Sequence, residues 1–572
     1  MKQILLLTSL LLIAVNCHAN DLPAPLNESQ IKHIAIYCKF WGFLKYYHPA
    51  VADGNLDWDY IFVDIYPKIK GAKSEADFND ALLELYQKAE YARKDSQHAT
   101  INSNFNGEEI QIADFEWLKS HDLFGDKVLE MLNKIKREYR PQNNHYISGG
   151  DVGNPNLDHD NEFELVVDPS EPFRLLALAR YWNIINYFYV YKDVIGSPWD
   201  SILFAFVPRL AQSGEAKEYH HLIKELCNSI NDSHSVTTSP LEKTKYYYVP
   251  FMLSYVERKV VISDTSSIIS NTDSIFTALG LHKGDFITKI NGKEVETLLN
   301  DLLMYEPHSN LSSGLRNVCY RLLSWNEGDT LIFTVNNGRS LHDVIIPLTK
   351  LDYGFGKKVQ HPIAWKILDS NIGFVDMGKL DPKSVKQMLV ELQYTKAVIF
   401  DVRNYPHGAF MNILNSLTTS HDFFYATRPD FSHPGYILKD TSESKIGMPD
   451  STDIQSNIRV RRLPHYKMTP IILVNEMTQS HAEFTVMALQ TIPNAKTFGS
   501  QTAGADGDVS TMQLPGGIKT TFSGIGIFYP DGTPTQRVGI KIDYEVKPTI
   551  KGIREGRDEV LERAIKYINT GS

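Results

Sequence analysis

The chain has 572 residues, of which 42% are hydrophobic and 22% are charged, and its formal net charge is −10. This length is too great for one hydrophobic core and predicts about three or four domains. The acidic balance and the lack of any long lysine- and arginine-rich run exclude a general nucleic-acid-binding protein, which needs basic patches to displace counterions.

The N-terminal segment is typical of a cleaved export signal. Lys2 supplies a positive charge, residues 4–15 form a nearly unbroken apolar run, and Ala19 offers a small residue at the cleavage position. The run is too short to span a bilayer comfortably. We expect residues 1–19 to be removed, which leaves a periplasmic or secreted chain without a transmembrane segment. The alternative is lipid modification of Cys17.

The cysteines of the remaining chain predict neither disulfides nor a metal site. Cys38, Cys227 and Cys319 are too few and too far apart for a disulfide framework or a zinc-ligand pattern. Cys38 and Cys227 lie in apolar helical segments, which favours buried small side chains. The sequence implies no metal and no organic cofactor.

An internal repeat follows the N-terminal segment. Residues 34–47 match residues 175–188 at an offset of 141, and Trp41 and Trp58 correspond to Trp182 and Trp199. The apolar positions follow helical spacing, so each copy predicts a small α-helical unit and the pair indicates a duplication. We assign the units to residues 20–100 and 171–244. The polar segment 101–170 connects them and contains one predicted helix near 124–138.

The pattern changes to β structure over residues 245–350. Two apolar runs flank Asn336-Asn337-Gly338, which predicts a hairpin. The run from Leu279 to Gly292, LGLHKGDFITKING, resembles PDZ domains of the bacterial, protease-associated kind. The resemblance implies capture of a C-terminal or extended peptide by strand addition.

Residues 351–572 predict an α/β domain. A strand over 371–377, a helix over 382–392 and a strand over 397–402 make a βαβ unit. A third strand covers 470–474, a helix covers 481–490, and an amphipathic helix near 558–568 closes the chain.

Ser480 lies where the third strand turns into the helix that follows. A hydroxyl at a helix N-terminus is near backbone N–H groups and a dipole that favour developing negative charge, which predicts a nucleophile. The alternative is that Ser480 only caps the helix, as serine often does.

Three segments of this region resemble the S41 peptidase family. They are the run around Ser480 with Glu483 three residues later, Asp401-Val-Arg-Asn-Tyr-Pro-His-Gly408, and the run from Phe498 to Gly507. The resemblance covers residues 245–568 and extends into the helical region. It implies a multidomain α+β protein with a duplicated α-helical N-terminal region, a PDZ-like β domain and a ClpP/crotonase-like α/β catalytic core, in which Ser480 attacks the substrate.

The sequence departs from one branch of this family at the general base. The C-terminal-processing branch has a lysine 25 residues beyond the serine, and Ala505 occupies that position here. Asp232-Ser233-His234 resembles the Ser-His pair of the tricorn branch, which implies that His234 is the base, because imidazole titrates near neutral pH. The alternative is a histidine that only caps a helix or turn.

The tricorn branch also implies supporting residues. Ser233 and Gln536 are expected to hydrogen-bond in support of the pair, although the branch has a glutamate at the position of Gln536. Asp543 and Glu545 are the alternatives for that acidic role.

The resemblance also predicts the oxyanion hole. The backbone N–H groups of His481 and of Gly408 or His407 are expected to form it. Arg403 is expected to hold the 401–408 loop through a carboxylate.

These features together predict an exported serine peptidase that acts on peptides or proteins. Two alternatives stay open: a catalytically inactive peptide-binding protein of the same fold, and a serine hydrolase acting on an ester or cell-wall substrate. The sequence indicates no particular oligomeric state.

Overall fold

The computed structural model describes residues 25–92, 108–137, 144–157, 159–163, 166–242, 247–265, 272–325, 330–350, 364–418, 422–439 and 468–572. The predicted export signal and the tail of the first repeat, residues 95–98, lie outside these ranges. Among the described helices, each is too short or too polar to span a bilayer.

The N-terminal region is mainly helical, as predicted. Asn27 caps helix α1 in a capping box, because the side chains of Asn27 and Gln30 each accept a hydrogen bond from the other's backbone N–H. The elements are α1 (Glu28–Tyr47), α2 (Pro49–Ala52), α3 (Trp58–Gly71), α4 (Glu75–Tyr91), β1 (Glu108–Gln111), α5 (Asp126–Arg137), β2 (Ser148–Gly149), β3 (Pro155–Asn156), α6 (Glu171–Phe188), α7 (Trp199–Gln212), α8 (Ala216–Asn228) and β4 (Thr237–Thr238), with 3-10 helices at Glu116–Lys119 and Lys192–Val194.

The two repeats pack into one hydrophobic core. Helices α1 and α6 are apolar around most of their circumference and are buried, so they lie in the centre of this core. Cys38 in α1 and Cys227 in α8 are buried free thiols, which confirms the expectation for these two side chains.

Polar contacts of the repeats follow the same offset of 141 residues. Lys39 Nζ donates to Asp200 Oδ2 at 2.8 Å, and the corresponding residues Arg180 and Asp59 form a second ion pair in the opposite direction. Each copy therefore supplies the cation of one pair and the carboxylate of the other, as in a two-fold symmetric interface.

The connecting segment contains a strand that the sequence did not predict. Strand β1 pairs antiparallel with residues 436–439 of the C-terminal region, so that Gln111 is opposite Tyr436. The predicted helix near 124–138 is α5. The segment therefore joins the helical region to the C-terminal domain through a shared sheet.

The middle region is an antiparallel sheet with helices on it. Its elements are β5 (Tyr247–Tyr248), β6 (Phe251–Val256), β7 (Lys259–Thr265), α9 (Thr272–Ala278), β8 (Phe286–Ile290), β9 (Lys293–Glu294), α10 (Val295–Leu303), α11 (Leu311–Leu323), β10 (Ser324–Trp325), β11 (Thr330–Asn336), β12 (Leu341–Pro347) and β13 (Thr349–Lys350). The main strand order is β12-β11-β8-β7-β6. The antiparallel β11–β12 pair is the predicted hairpin.

The C-terminal domain is α/β, as predicted. Its elements are β14 (Trp365–Leu368), β15 (Ile372–Asp376), α12 (Val385–Leu392), β16 (Val398–Asp401), α13 (Phe410–Leu417), β17 (Tyr425–Pro429), β18 (Tyr436–Lys439), β19 (Pro470–Val474), α14 (His481–Gln490), β20 (Lys496–Gly499), β21 (Val509–Leu514), β22 (Ile518–Ser523), β23 (Gly526–Phe528), β24 (Tyr544–Glu545), α15 (Ile550–Arg554) and α16 (Glu559–Thr570), with a 3-10 helix at Pro382–Ser384.

The main sheet of this domain determines where its loops meet. Its order is β14-β15-β16-β19-β20-β24, and the strands from β15 onward are parallel. All five residues of β19 are buried, as expected for a parallel strand covered on both faces. The carboxyl ends of β16 and β19 lie at one edge, so the loops after Asp401 and Val474 are neighbours there.

A smaller sheet connects this domain to the helical region. Strand β22 pairs antiparallel with β4, so that Thr520 is opposite Thr237. The loop between α8 and β4, which contains His234, is thereby fixed beside the end of β22 at Ser523.

Candidate active site

Ser480 occupies a strained turn between β19 and α14. Its φ is +58° and its ψ is −127°, in a region that non-glycine residues rarely adopt and that costs on the order of 1 kcal/mol or more. The backbone N–H of Ser480 donates to Ala505 O at 2.9 Å and also approaches Glu483 Oε2 at 3.3 Å. A serine held in such a strand-to-helix turn has the backbone geometry of an exposed nucleophile.

Glu483 holds the neighbouring loop against helix α14. Its buried carboxylate accepts hydrogen bonds from Thr502 Oγ1 at 2.5 Å, Gly504 N at 2.8 Å and Ala505 N at 3.0 Å. Burial raises the pKa of Glu483, whereas these donors oppose the rise by favouring the carboxylate. The side chain therefore orders the Ser480 turn. Ala505, at the position of the absent lysine, contributes only its backbone groups.

His234 lies in a buried loop anchored by Asp232. Asp232 Oδ1 accepts from His234 N at 2.9 Å, and Asp232 Oδ2 accepts from Ser523 N at 2.8 Å. The loop is therefore fixed both internally and to β22.

The hydroxyl of Ser523 sets the tautomer of His234. Ser523 Oγ donates to Asp232 Oδ1 at 3.1 Å, so it accepts from Nδ1–H of His234, 2.9 Å away. This assignment leaves His234 Nε2 unprotonated, and within the described ranges Nε2 has no hydrogen-bond partner. Nε2 is therefore available as a proton acceptor.

Burial adjusts the charge state of His234. The pKa of His234 is lowered from its ordinary 6.5 chiefly because burial penalises the imidazolium. Asp232 and Asp508 raise this pKa, and the positive charge of Arg316 lowers it further. The net effect is a neutral imidazole at pH 7, the state that a general base requires.

The loops that carry Ser480 and His234 are in direct contact. Gln479 Nε2, beside Ser480, donates to the carbonyl oxygen of Ser233, beside His234, at 3.5 Å. No hydrogen bond joins Ser480 to His234 among the residues that the structure describes. Catalytic hydrogen bonds often tighten only when substrate binds.

Neither of the two predicted supporting residues makes a hydrogen bond with Ser480 within the described ranges. Ser233 Oγ donates to Ala503 O at 3.2 Å and accepts from Ser309 N at 2.8 Å. Gln536 Nε2 donates to the hydroxyl of Tyr189 at 3.3 Å, and that hydroxyl donates to Asp232 Oδ2 at 3.3 Å. Gln536 thus reaches the His234 loop through Tyr189 and Asp232.

The alternative acidic residues contact other parts of the sheet. Asp543 accepts from Thr497 N at 2.8 Å and from Lys496 Nζ at 3.1 Å, and Glu545 pairs with Lys547 at 2.6 Å. In the described part of the chain, neither makes a hydrogen bond or ion pair with Ser480 or His234.

The predicted oxyanion groups lie on adjacent loops. Gly408 has φ +76°, and a Cβ added there would be 4.0 Å from His481 Nε2. The His481 ring also contacts the ring of Phe410, with centroids 5.5 Å apart. Within the described ranges, the backbone N–H groups of His481, Gly408 and His407 have no hydrogen-bond acceptor. These groups can therefore receive an acceptor from a substrate.

Arg403 has the predicted structural role. Its guanidinium contacts Asp401 at 2.7 Å and Asp558 at 2.7 Å, which ties the end of β16 to the start of α16. Both carboxylates raise the pKa of Arg403 against the opposing effect of burial.

One group of side chains outside this site has metal-ligating chemistry. Ligand atoms of Glu109, Asp430 and His433 lie within 4.8 Å of one another. His433 Nδ1 is 2.6 Å from Glu109 Oε1, and Asp430 Oδ1 accepts from Ser432 N at 2.8 Å. These contacts join β1 to the turn before β18, and they account for the group without an ion.

Three residues of the site were not identified from the sequence. Ser523 and Gln479 contact the loop that carries His234, and Arg316 contacts Gln479, but Ser523 is 289 positions from His234 and Arg316 is 163 positions from Gln479. No local pattern marks such contacts.

Residues 371–546 match the family model described as peptidase family S41. The fold is similar to that of mature CPAF complexed with lactacystin, with a TM-score of 0.52 and 13% identity over 71% of this chain and 98% of that chain. A second structure of mature CPAF has a TM-score of 0.52 and 14% identity over 70% of this chain and 99% of that chain. At such low sequence identities, the similarity between this chain and these structures concerns the fold alone.

The photosystem II D1 C-terminal processing protease has a TM-score of 0.38 and 14% identity over 68% of this chain and 98% of that chain. No curated protein sequence matches this chain.

Proposed function

Since the chain carries a domain of peptidase family S41 and is by that class a serine-type peptidase, we propose that Ser480 and His234 hydrolyse peptide bonds through an acyl-enzyme. The strained Ser480 turn within the family-matched residues is the observation that carries this proposal. The neutral His234, with Nε2 available, supplies the base that Ala505 cannot provide.

The proposed reaction follows from this arrangement. Ser480 Oγ attacks the substrate carbonyl carbon while His234 Nε2 accepts its proton, and the N–H groups of His481 and Gly408 stabilise the oxyanion. His234 then protonates the leaving amine as the C–N bond breaks. Water hydrolyses the acyl-enzyme ester by the same steps, with His234 again as base.

Asp232 and Ser523 have an orienting role in this mechanism. They hold Nδ1 of His234 protonated, so that Nε2 faces the reaction with its lone pair. Asp232 also favours the imidazolium that forms in each transition state, although Ser523 lies between the two groups. Gln536 supports Asp232 indirectly, through Tyr189.

The middle region supports peptide capture. Strand β6 ends its sheet among the described residues and lies beside α11. A cleft of about 630 Å³ is lined by β6, by Leu311 and Leu315 of α11, and by residues 475–477 next to the Ser480 turn. We assign to this PDZ-like region the binding of an extended peptide, whose backbone would pair with β6.

The N-terminal segment supports export of the protein. The charged start and the apolar run over residues 4–15 have the composition of a signal peptide. Export would place the peptidase in the periplasm or outside the cell, where its substrates would be exported proteins or peptides.

The test is hydrolysis of two substrate classes by the purified protein and its Ser480→Ala variant. We expect the wild type to cleave β-casein, and the variant to be at least about 10³-fold slower, because the nucleophile is lost. Circular dichroism checks that the variant is folded.

The other outcomes favour the two alternatives. Turnover of p-nitrophenyl esters without casein cleavage, lost in Ser480→Ala, would identify a hydrolase for another substrate class. Binding of casein peptides by a folded wild type that hydrolyses neither substrate would identify a peptide-binding protein.

A further inference from the structure

Helix α11 belongs to the middle region, yet its N-terminal end contacts two loops of the candidate site. Asn310, just before the helix, donates through Nδ2 to Thr502 O at 2.9 Å, and Ser309 N donates to Ser233 Oγ at 2.8 Å. These bonds fix the start of α11 against the loop that follows β20 and against the His234 loop.

Arg316, in the second turn of α11, extends these contacts to the Ser480 turn. Its Nη1 donates to Glu476 O at 2.7 Å, and its Nη2 donates to Gln479 Oε1 at 2.7 Å. The Gln479 side chain then donates to Ser233 O at 3.5 Å. A continuous hydrogen-bonded path therefore runs from α11 through the residue before Ser480 to the residue before His234.

The environment of Arg316 differs from that of Arg403. The side chain is half-buried and lines the cleft beside β6. In the described part of the chain it has no carboxylate within ion-pair distance, so its charge is only partly compensated. A partly desolvated cation without a counterion is costly, and Arg403, by contrast, is paired with Asp401.

The charge of Arg316 also acts on the general base. The charged groups whose electrostatic effect reaches His234 are Asp232 on its own loop, Asp508 from the loop before β21, and Arg316 from α11. The two carboxylates favour the imidazolium. Arg316 is the one cation of this set, and it opposes them by favouring the neutral ring.

We propose that Arg316 and Gln479 are positioning residues of the catalytic pair. Their hydrogen bonds set the Ser480 turn against the His234 loop, and the charge of Arg316 favours the neutral imidazole of His234. This inference rests on the proposed peptidase mechanism and adds to it two residues that touch neither the substrate nor the reacting atoms.

The test is the rate at which a fluorophosphonate inactivates the full-length protein between pH 5 and pH 9. The variants are Arg316→Met, Arg316→Lys and Gln479→Met, and the matched control is Arg321→Met. Arg321 lies on the same helix but faces Glu306, at 3.8 Å. Thermal unfolding of each variant identifies any that fails to fold.

The variants separate the two roles of Arg316. Arg316→Met is expected to lower the plateau rate about 10-fold or more, through misplacement of the turn. It should also shift the acidic limb of the pH–rate profile to higher pH by roughly half a unit, because the pKa of His234 rises when a neighbouring positive charge is lost. Arg316→Lys and Gln479→Met keep the charge, so they should lower the plateau without moving the limb. Arg321→Met should match the wild type.

Two results would overturn the proposal. A folded Arg316→Met variant with the acidic limb of the wild type contradicts the effect on His234. A folded Gln479→Met variant with the plateau of the wild type contradicts the positioning role. Absence of Ser480-dependent inactivation in the wild type would instead reject the proposed function, so the two failures are distinguishable.

Discussion

Replacement of His234 by alanine is expected to lower the rate of peptide hydrolysis by about 10³- to 10⁴-fold while the protein stays folded. The serine hydroxyl is a weak nucleophile without a base, and Ala505 replaces the lysine of the other branch. Ser523 holds Nδ1 of His234 at 2.9 Å, so Nε2 is the atom that must accept the proton.

The measurement is kcat on a peptide substrate at pH 8, with His282→Ala as the control. His282 is also a histidine beside an aspartate, at 3.7 Å, but its side chain is 75% exposed and lies in the middle region. Its loss should leave kcat unchanged. A kcat for His234→Ala within about 10-fold of the wild type would show that another group is the base.

The pH profile of the wild type gives an independent check of the same residue. Because burial lowers the pKa of His234, activity should hold through neutral pH and fall only below pH 6.5. The acidic limb should be absent from the residual activity of His234→Ala.

The second large effect concerns stability, at the Arg180–Asp59 ion pair between the repeats. Arg180 is fully buried, and it also donates to Asn161 O at 2.8 Å. Arg180→Met is expected to lower the free energy of unfolding by about 3–5 kcal/mol, because it leaves the carboxylate of Asp59 buried without its partner. The methionine keeps the apolar stem, so the loss is chiefly electrostatic.

The internal repeat supplies the matched control. Lys39→Met breaks the corresponding pair, but the side chain of Asp200 is 46% exposed and can be hydrated, so the expected loss is about 1 kcal/mol or less. Urea unfolding followed by tryptophan fluorescence measures both, since most tryptophans of the chain lie in this region. Equal losses of unfolding free energy in Arg180→Met and Lys39→Met would contradict the argument that burial of the carboxylate determines the size of the loss.

Features set by local pattern were predicted well from the sequence. The apolar run at 470–474 and the helical periodicity after Ser480 predicted β19 and α14, and Asn337-Gly338 predicted the β11–β12 hairpin. These elements depend on neighbours within a few residues, which a single sequence displays.

Contacts between distant segments could not be predicted in the same way. The pairing of β1 with β18 joins residues more than 300 positions apart, and nothing in the short strand Glu108–Gln111 identifies its partner. The sequence around Ser523 indicates only a serine at the end of a strand. The pairing of β22 with β4 places this serine beside His234. The repeat predicted equivalent helices, but not that Lys39 and Arg180 would each pair with the other copy.

The central claim is that Ser480 is a nucleophile activated within this site, and covalent labelling by a fluorophosphonate tests it most directly. The folded wild type should be labelled at one residue, identified as Ser480 by mass spectrometry of the modified peptide, and Ser480→Ala should show no labelling. A folded wild type that reacts with neither a bulky nor a small fluorophosphonate, or that is labelled at a different residue, would contradict the account.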